Sequence, residues 1–527
     1  MLLQPCSNQE DAVPTAPTSA EAPADRPLPA SAEVVVVGSG FAGIATAVAL
    51  LDRGRRDVVV LERGDDVGGT WRDNTYPGCA CDVPSHMYSF SFAPNPDWSH
   101  AFSPQPEIQA YLQRVARERG VLPLVHLRTE LLGARWDDDA QRWTVATSRG
   151  ELTCRVLVLG TGGLSDPSVP SLPGLERFAG TTFHSAQWDH EHDLTGERVA
   201  VVGTGASAIQ FVPYVQERAA RLVLFQRTAP WVMPRRNRRI GEREKELYRR
   251  LPIAQTLNRA GIYVGRESWI VGFAKQPAVM KVAERIARRH LARQVRDPEL
   301  RAKLTPTYRL GCKRVLLSND YYPALTKPNV EVVTDRIVEV TGTGVVAEAP
   351  DGTRTEHPVD TIVFGTGFKV TDPPVAHRVV GREGRTLAEH WAEHGMAALH
   401  GSTIAGFPNL FFLVGPNTGL GHNSIVYMIE SQVGYVMDAL DQMQARGATS
   451  IEARQAAQDA YNDRLQEALA GTVWNAGGCS SWYLDAHGRN TTLWPTFTWA
   501  FRRSVRRVDL TEYVLRTRSG DRERVAA

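Results

Sequence analysis

The sequence predicts an α/β protein with two domains of the same kind, each a parallel sheet flanked by helices. At 527 residues the chain exceeds what a single hydrophobic core usually organises. Residues 34–51 and 199–216 both run without a charged side chain and place a glycine cluster between a Val-rich stretch and small apolar residues. Runs of this length can indicate membrane spans, but the central glycines are typical of a buried strand that turns into its helix. The sequence therefore predicts no integral membrane segment.

Composition and charge favour a protein that acts on small molecules. Hydrophobic residues make up 43% of the chain and charged residues 22%, close to globular averages. The 60 Lys and Arg residues nearly balance the 58 Asp and Glu residues, which argues against a nucleic-acid partner. Residues 1–31 are rich in Pro, Ala and Ser and lack the basic and apolar regions of a signal peptide. We expect them to form a disordered extension.

The cysteines predict no covalent framework. Six cysteines, at positions 6, 79, 81, 154, 312 and 479, form neither a disulfide pattern nor a metal-ligand spacing. In a chain of this size we expect reduced thiols, a cytoplasmic location and no metal site.

A first glycine fingerprint follows the first predicted strand. Gly38, Gly40 and Gly43 form GxGxxG, and Phe41 opens the helix that follows. The first glycine allows a tight turn, the second lets the backbone approach a pyrophosphate, and the third lets the helix pack on the strand. Glu62 ends the next strand, where a carboxylate can accept hydrogen bonds from an adenosine ribose. This pattern is typical of a Rossmann-like fold that binds FAD or NAD.

A second fingerprint lies farther along the chain. Gly203, Gly205 and Ala208 form GxGxxA, an accepted variant, and Ser207 lies within the same turn. The sequence thus predicts two Rossmann-like dinucleotide-binding domains.

The two fingerprints differ at the residue that follows the second strand. Where the first has Glu62, the second has Arg227 followed by Thr228. A carboxylate would repel a 2′-phosphate, whereas a guanidinium binds one with charge-assisted hydrogen bonds. We therefore expect the second domain to prefer NADPH over NADH, although a surface arginine on an NAD site remains an alternative.

Each domain is expected to be discontinuous in sequence. Further strand–glycine turns at 156–163 and 361–368 are interpreted as crossings between the two domains. The Arg-rich segment between them carries apolar residues at helical spacing, as at Val279, Ala283 and Ile286, and is predicted to be a helical insertion with a solvated basic face. The predicted segments are a disordered extension (1–31), an FAD-binding part (32–170), an NADPH-binding part (171–231), the helical insertion (232–305), a second NADPH-binding part (306–375), a second FAD-binding part (376–512) with a mobile loop (479–498), and a polar tail (513–527).

Two longer motifs make the comparison with a known family specific. The first reads GGTWxxxxYPGxxxD and supplies Gly69, Thr70, Trp71, Tyr76 and Asp82; the second reads FxGxxxHxxxWD and supplies His184, Trp188 and Asp189. Together they resemble the signatures of type I (class B flavoprotein) Baeyer–Villiger monooxygenases. The resemblance implies an enzyme that uses FAD, NADPH and O2 to insert one oxygen atom next to a ketone carbonyl. The product would be an ester or lactone, formed through a C4a-peroxyflavin.

The resemblance also implies roles for individual residues. Gly69, Thr70, Trp71 and Tyr76 of the first signature are expected to bind a cofactor. Arg314 matches the family's catalytic arginine, and Asp82 is expected to pair with it as well as to lie near the flavin. Lys313 resembles a second contact to the NADPH 2′-phosphate, and Trp482 resembles a loop tryptophan that closes over NADP⁺. The sequence after Trp482 departs from the family's pattern, so substrate scope does not carry over. His184, together with Trp188 and Asp189, is interpreted as coupling domain movement to the position of NADP⁺.

Other functions remain open at this stage. The first alternative is a flavin-containing monooxygenase that oxidises sulfur or nitrogen; Trp188, Asp189 and Arg314 favour the Baeyer–Villiger reaction over it. A flavoprotein that only produces hydrogen peroxide and a non-catalytic dinucleotide-binding regulator are further alternatives. The sequence does not indicate which ketone is used or the oligomeric state.

Overall fold

The first domain is built on an eight-stranded sheet. The structure is a computed structural model, and it describes residues 26–485 and 487–517. The first part of this domain contains β1 (Ser31–Val37), α1 (Phe41–Asp52), β2 (Val58–Leu61), α2 (Thr70–Asp73), α3 (Gln105–Glu118), β3 (Val125–His126), β4 (Leu131–Asp137), β5 (Arg142–Thr147) and β6 (Gly150–Leu159). Strands β6, β1, β2 and β3 lie side by side and parallel, whereas β4, β5 and β6 form an antiparallel meander. Because the parallel strands are covered by helices, they consist almost entirely of buried Val and Leu.

The second domain begins with four elements. These are β7 (Thr181–His184), β8 (Arg198–Val202), α4 (Ala208–Arg218) and β9 (Arg221–Phe225). Strand β8 runs into the second glycine fingerprint in the same way that β1 runs into the first.

The helical insertion follows β9 and is helical, as predicted. It contains β10 (Val232–Met233), α5 (Glu242–Arg250), α6 (Pro252–Glu267), a π-helical turn (Val271–Lys275), α7 (Met280–Gln294) and α8 (Pro298–Lys303). The apolar residues that indicated the helix are not the ones that α7 buries. Met280, Ala287 and Leu291 are buried, whereas Val279 and Ile286 are exposed. Helical spacing shows that residues share a face, but it does not show which face meets the protein.

The chain then completes the second domain. It adds β11 (Leu316–Leu317), α9 (Tyr321–Leu325), β12 (Val330–Val333), β13 (Arg336–Val340), β14 (Gly344–Glu348), β15 (Arg354–Pro358) and β16 (Thr361–Phe364). The five strands in the order β12, β9, β8, β16 and β7 form an entirely parallel sheet. Strands β13 to β15 form a separate antiparallel sheet.

The last part returns to the first domain. It contains β17 (Val379–Val380), α10 (Leu387–His394), β18 (Leu410–Phe412), α11 (Ile425–Ala445), β19 (Ala448–Ala453), α12 (Gln455–Ala470), α13 (Val473–Ala476), α14 (Thr498–Ser504) and β20 (Tyr513–Thr517). Strands β17 and β18 join the first sheet, and α11 packs on α1. The two-domain α/β fold with discontinuous domains and a helical insertion is confirmed. Residues 513–517 are not a tail, however, because β20 pairs with β19. Residues 518–527 and most of the predicted extension, 1–25, lie outside the described residues.

The glycine turns are required by close backbone contacts. Gly38 has φ +96°, and a Cβ placed there would lie 2.7 Å from the carbonyl oxygen of Gly160. A Cβ on Gly43 would lie 1.8 Å from the carbonyl oxygen of Gly38. In the second domain, a Cβ on Gly203 would lie 2.5 Å from the carbonyl oxygen of Gly365. The turns at 156–163 and 361–368 therefore lie directly beside the two fingerprints.

A disulfide joins Cys312 to Cys479, so the expectation of reduced thiols is wrong for this pair. The two cysteines are 167 residues apart, and no spacing rule could have paired them. Cys79, Cys81 and Cys154 are free and buried, and Cys6 lies outside the described residues. Burial raises the pKa of the Cys79 thiol to about 12 and lifts those of Cys81 and Cys154 further, so these three thiols are unreactive at neutral pH.

Within residues 26–485 and 487–517, no helix combines the length and the apolar character needed to cross a membrane. The two uncharged runs noted in the sequence instead form β1 with α1 and β8 with α4.

We predict that Gly43→Ala destabilises the first domain and abolishes flavin retention. The added methyl group collides with backbone, which cannot move without separating α1 from β1; overpacking of this kind costs about 1–3 kcal/mol or more. Thermal unfolding and flavin content of the purified protein measure the effect. Gly434→Ala is the matched control, since this helical glycine has open space around its Cβ position and should gain up to about 1 kcal/mol from helix propensity. Full flavin content in Gly43→Ala would contradict the prediction.

Candidate active site

A cavity opens at the carboxyl ends of β1 and β2, where ligands bind in open α/β sheets. Of the residues predicted to bind the first cofactor, seven line it: Gly38, Gly40, Phe41, Glu62, Gly69, Thr70 and Trp71. The motif at 68–70 lies against the fingerprint, because the backbone N–H of Gly68 donates to the carbonyl oxygen of Ser39 at 2.9 Å. Gly43 does not line the cavity; its contact is with the strand, as the fingerprint requires.

Glu62 lies buried in this cavity and accepts four hydrogen bonds. Ser39 donates through its backbone N–H and its hydroxyl, Gly64 through its backbone N–H, and Arg72 through Nη1 at 2.6 Å. Burial alone would raise the pKa of Glu62, but Arg72 and the hydrogen bonds hold it below its usual range. Sequence reasoning missed Arg72, which lies inside the first signature at a variable position. Glu62 is therefore an oriented carboxylate that suits a ribose diol.

The second fingerprint forms a similar turn at the end of β8. Gly203 and Gly205 lie next to the turn after β16, and Ser207 precedes the first residue of α4, Ala208. The hydroxyl of Thr204 donates to the carbonyl oxygen of Thr228 at 3.2 Å, which ties this turn to the segment after β9.

Two cations, Arg227 and Lys313, lie near each other beyond this turn. Burial and the nearby charge of Arg227 lower the pKa of Lys313, so the two side chains are close enough to repel. The ammonium of Lys313 lies 5.3 Å from the centre of the Tyr308 ring. Among the described residues, neither Arg227 nor Lys313 forms an ion pair with a carboxylate. Two adjacent cations without a protein counter-ion favour an anionic ligand.

Arg314 and Asp82 form a bidentate ion pair across the domain boundary. Nε of Arg314 lies 2.6 Å from Oδ2 of Asp82, and Nη2 lies 2.5 Å from Oδ1. The side chains keep 34% and 24% of their surface accessible, so the pair is enclosed by protein but open on one side. Burial would raise the pKa of Asp82, but the charge of Arg314 holds it below its usual range, and Asp82 in turn raises the pKa of Arg314. Nη1 of Arg314 also donates to the carbonyl oxygen of Leu420 at 3.4 Å.

Two more arginines support this segment, and sequence reasoning missed both. Arg266, in the last turn of α6, donates to the carbonyl oxygen of Asp82 at 2.8 Å. Arg235 donates to the carbonyl oxygen of Cys81 at 3.3 Å. Because both bonds go to backbone carbonyls, neither arginine competes with Arg314 for the carboxylate of Asp82. Arg235, Arg266 and Arg314 thus bring three positive charges to the segment that carries Asp82.

Tyr76 does not line the first cavity but lies at the domain interface. Its hydroxyl donates to Oε1 of Gln210 on α4 at 3.0 Å. Gly78, with φ +77°, packs so closely on α4 that a Cβ would lie 2.8 Å from the carbonyl oxygen of Gln210. Trp188 reaches the same helix from the other side, with its ring centre 5.3 Å from that of Phe211. The two signatures therefore meet on α4, at the interface between the two domains.

His184 ends β7 and is buried. Its Nδ1 accepts the backbone N–H of Ala186 at 3.1 Å, which caps the short turn that leads to Trp188. Burial lowers the pKa of His184, so the ring is neutral at physiological pH. Asp189 accepts the backbone N–H of Glu191 and shapes the next turn. Neither side chain belongs to the Arg314 and Asp82 cluster.

The predicted loop lies beside the ion pair but presents a different aromatic residue. Trp482 is 46% exposed, whereas its neighbour Tyr483 is buried. Burial raises the pKa of Tyr483 to about 12. The nearby charge of Arg314 lowers this pKa and that of Asp82 raises it, so Tyr483 lies close to the ion pair. The loop is held at 490 and 493, whose carbonyl oxygens accept hydrogen bonds from Nδ2 of Asn417.

Comparison with known proteins agrees with this architecture. A family model described as flavin-binding monooxygenase-like matches residues 31–254. A Baeyer-Villiger monooxygenase of Streptomyces coelicolor is 56% identical and covers 91% of this chain and 92% of its own. A Baeyer-Villiger monooxygenase of Pseudomonas aeruginosa is 50% identical and covers 93% of both chains.

The chain belongs to the Baeyer–Villiger monooxygenase family. Solved structures agree: an oxidized steroid monooxygenase bound to NADP is 30% identical over 93% of this chain and 100% of its own, with a TM-score of 0.80. A closed cyclohexanone monooxygenase is 27% identical over 92% of this chain and 99% of its own, with a TM-score of 0.81. The family assignment confirms the resemblance seen in the sequence and favours it over the heteroatom-oxidising alternative. The protein is an NADPH-dependent flavoprotein monooxygenase with FAD as its flavin.

We predict that His184→Gln leaves the pH dependence of turnover unchanged between pH 6.5 and 8, because His184 is already neutral there. Stability should respond instead. Below pH 6.5, His184 binds a proton in the unfolded chain but stays neutral in the folded protein. The free energy of unfolding of the wild type should therefore fall, relative to that of the variant, by up to about 1.4 kcal/mol per pH unit. Unfolding temperatures of both proteins from pH 7 to pH 5 measure this. A new or shifted limb in the turnover profile would indicate proton transfer by His184.

Proposed function

We propose that Arg314 is the catalytic cation of this monooxygenase and that Asp82 is its positioning residue. The observation that carries the proposal is the bidentate ion pair across the domain boundary, open on one side. A bidentate contact fixes the plane of the guanidinium, which a single hydrogen bond would leave free to rotate. A flavin in the first domain supplies the reduction of O2 and the transfer of one oxygen atom to the substrate.

The residues of the first cavity fit that flavin. A Cβ on Gly40 would lie 3.7 Å from Cα of Gly69, so two glycine backbones meet at the cavity floor and leave it free of side chains. The oriented carboxylate of Glu62 would accept hydrogen bonds from the hydroxyl groups of the adenosine ribose. Thr70 and Trp71, which also line the cavity, begin the short helix α2.

Arg314 would stabilise the negative charge that develops on oxygen during attack on a carbonyl carbon. A guanidinium never loses its proton under these conditions, so its charge is permanent. Enclosure by protein strengthens its field, because little water screens it. The chemistry therefore favours ketones, whose carbonyl carbon accepts a nucleophilic oxygen, and the products would be esters or lactones.

The two unpaired cations, Arg227 and Lys313, would bind the 2′-phosphate of NADPH. Lys313 is the neighbour of Arg314 in the chain, so one short segment would contact the nicotinamide cofactor and the reacting oxygen together. We also propose a cytoplasmic location, which is where an enzyme that consumes NADPH finds its supply.

Product analysis under isotopically labelled O2 tests this proposal. With NADPH and a panel of linear, cyclic and aryl ketones plus one thioether, the wild type should give labelled ester or lactone. Arg314→Ala should lower ester formation by about 10²-fold or more, the usual cost of removing a donor that stabilises an oxyanion. Asp82→Ala should lower it at least about tenfold and raise the hydrogen peroxide formed per NADPH, because Arg314 loses its orientation.

Flavin content and NADPH binding serve as the controls. Asp82→Ala should keep its FAD, and Asp82→Glu should recover part of the ester yield, since it restores a carboxylate. Normal ester formation by Asp82→Ala would show that the pair does not act as proposed. Labelled sulfoxide without any ester would show that the enzyme oxidises heteroatoms instead.

We predict that Arg227→Ala weakens the preference for NADPH over NADH. Loss of one charge-assisted contact costs about 1.5–3 kcal/mol, so KM for NADPH should rise about tenfold to a hundredfold while KM for NADH stays nearly constant. Steady-state kinetics with both cofactors measure the change. Arg221→Ala is the control, because Arg221 lies at the other end of β9 and pairs with Glu331. An equal rise in KM for both cofactors would contradict a 2′-phosphate contact.

A further inference from the structure

The helical insertion concentrates the positive charge of the chain. Residues 232–305 contain 19 Lys and Arg residues against 7 Asp and Glu residues, a formal net charge of +12, whereas the whole chain carries +2. The remainder of the chain is therefore negative by 10. Such asymmetry produces a basic surface on a nearly neutral protein.

Helix α6 exposes a stripe without charges. Ile253, Leu257 and Val264 are 56%, 66% and 66% exposed, and their spacing places them within about 40° of one another around the helix. Its two arginines turn away from this face. Arg259 donates to the carbonyl oxygen of His86, and Arg266 donates to that of Asp82. A row of exposed apolar side chains over about three turns has no role in packing within the described chain.

Helix α7 exposes apolar and basic residues together. Val282 is 58% exposed and Ile286 is 44% exposed. The exposed charged residues of α7 are all basic, and its one acid, Glu284, turns inward to accept the backbone N–H of Leu310. Among the described residues the following exposed cations of α7 form no ion pair: Lys281, Arg285, Arg289 and Arg293.

We propose that the helical insertion docks on an anionic lipid surface. Exposed Val and Ile beside unpaired Lys and Arg, as on α7, is the combination that interfacial helices use, with the apolar side chains entering the acyl boundary and the cations meeting lipid headgroups. Helix α6 adds a second exposed apolar stripe. Acids of α5 and α7 do not neutralise this surface, because Glu242 pairs with Lys245, Glu246 pairs with Arg250, and Glu284 faces inward.

Charge decides between this occupant and a second copy of the chain. An interface that joins two identical insertions would bring two surfaces of formal charge +12 together, which is unfavourable at physiological ionic strength. A fluid anionic surface satisfies the apolar side chains and the cations at once and requires no matching shape.

Vesicle flotation of the full-length, FAD-loaded enzyme tests the proposal. The enzyme should float with vesicles of equal parts phosphatidylcholine and phosphatidylglycerol, with an apparent partition coefficient at least about tenfold higher than with phosphatidylcholine alone. Binding should weaken at about 0.5 M salt. The double variant Leu257→Glu with Val264→Glu and the double variant Arg285→Glu with Arg289→Glu should each lose at least about tenfold in partitioning.

Leu132→Glu is the matched control, because Leu132 is 52% exposed on β4 and lies outside the helical insertion. It should bind vesicles like the wild type. All variants should retain flavin and ester formation in vesicle-free buffer, which separates a docking defect from misfolding. Equal binding to both vesicle types, or binding unchanged in both double variants, would overturn the proposal. The proposal would also be overturned if the wild type did not bind vesicles and sedimentation showed a dimer that Leu257→Glu disrupts.

Discussion

The ion pair between Asp82 and Arg314 is the contact on which the arrangement of the two domains depends. Asp82 ends the first signature, and Arg314 follows the helical insertion, so the pair joins residues 232 positions apart in the chain. A guanidinium in this enclosed setting would be costly without its carboxylate, and the carboxylate would be costly without the guanidinium. The same pair therefore joins the two domains and fixes the plane of the guanidinium that we propose as the catalytic cation. Around it, Arg235 and Arg266 bind backbone carbonyls and hold the segment at 81–82 in place.

Local signals made much of this molecule predictable from sequence. Glycines at fixed offsets predict both cofactor turns, because only glycine tolerates the backbone contacts found at Gly38 and Gly203. Arg227 stands after β9 where the first fingerprint has Glu62, and this change of charge predicts a site for a 2′-phosphate. The 2′-phosphate is the group that distinguishes NADPH from NADH. Helical periodicity predicts the insertion, but not which face of α7 is buried, because that depends on neighbours distant in the chain.

What sequence reasoning missed depends on contacts between distant segments. Arg72 has no motif of its own, yet it sets the charge state of Glu62. Arg266 belongs to a helix predicted only as a solvated basic element, and its side chain instead reaches the site. Tyr76 belongs to the first signature, and the motif does not reveal that its hydroxyl bonds to α4 of the other domain. In each case the chain brings a residue to the site from an element whose position the local pattern does not fix.

The disulfide has a consequence for the reach of the loop beyond it. Cys312 immediately precedes Lys313 and Arg314, and Cys479 lies three residues before Trp482. An extended chain spans at most about 3.6 Å per residue, so Trp482 can lie no farther than about 11 Å from the Cα of Cys479. Whatever conformation the rest of the loop adopts, the disulfide therefore keeps Trp482 close to the segment that carries Lys313 and Arg314. The covalent link restricts the positions that Trp482 can reach to a small volume around Cys479.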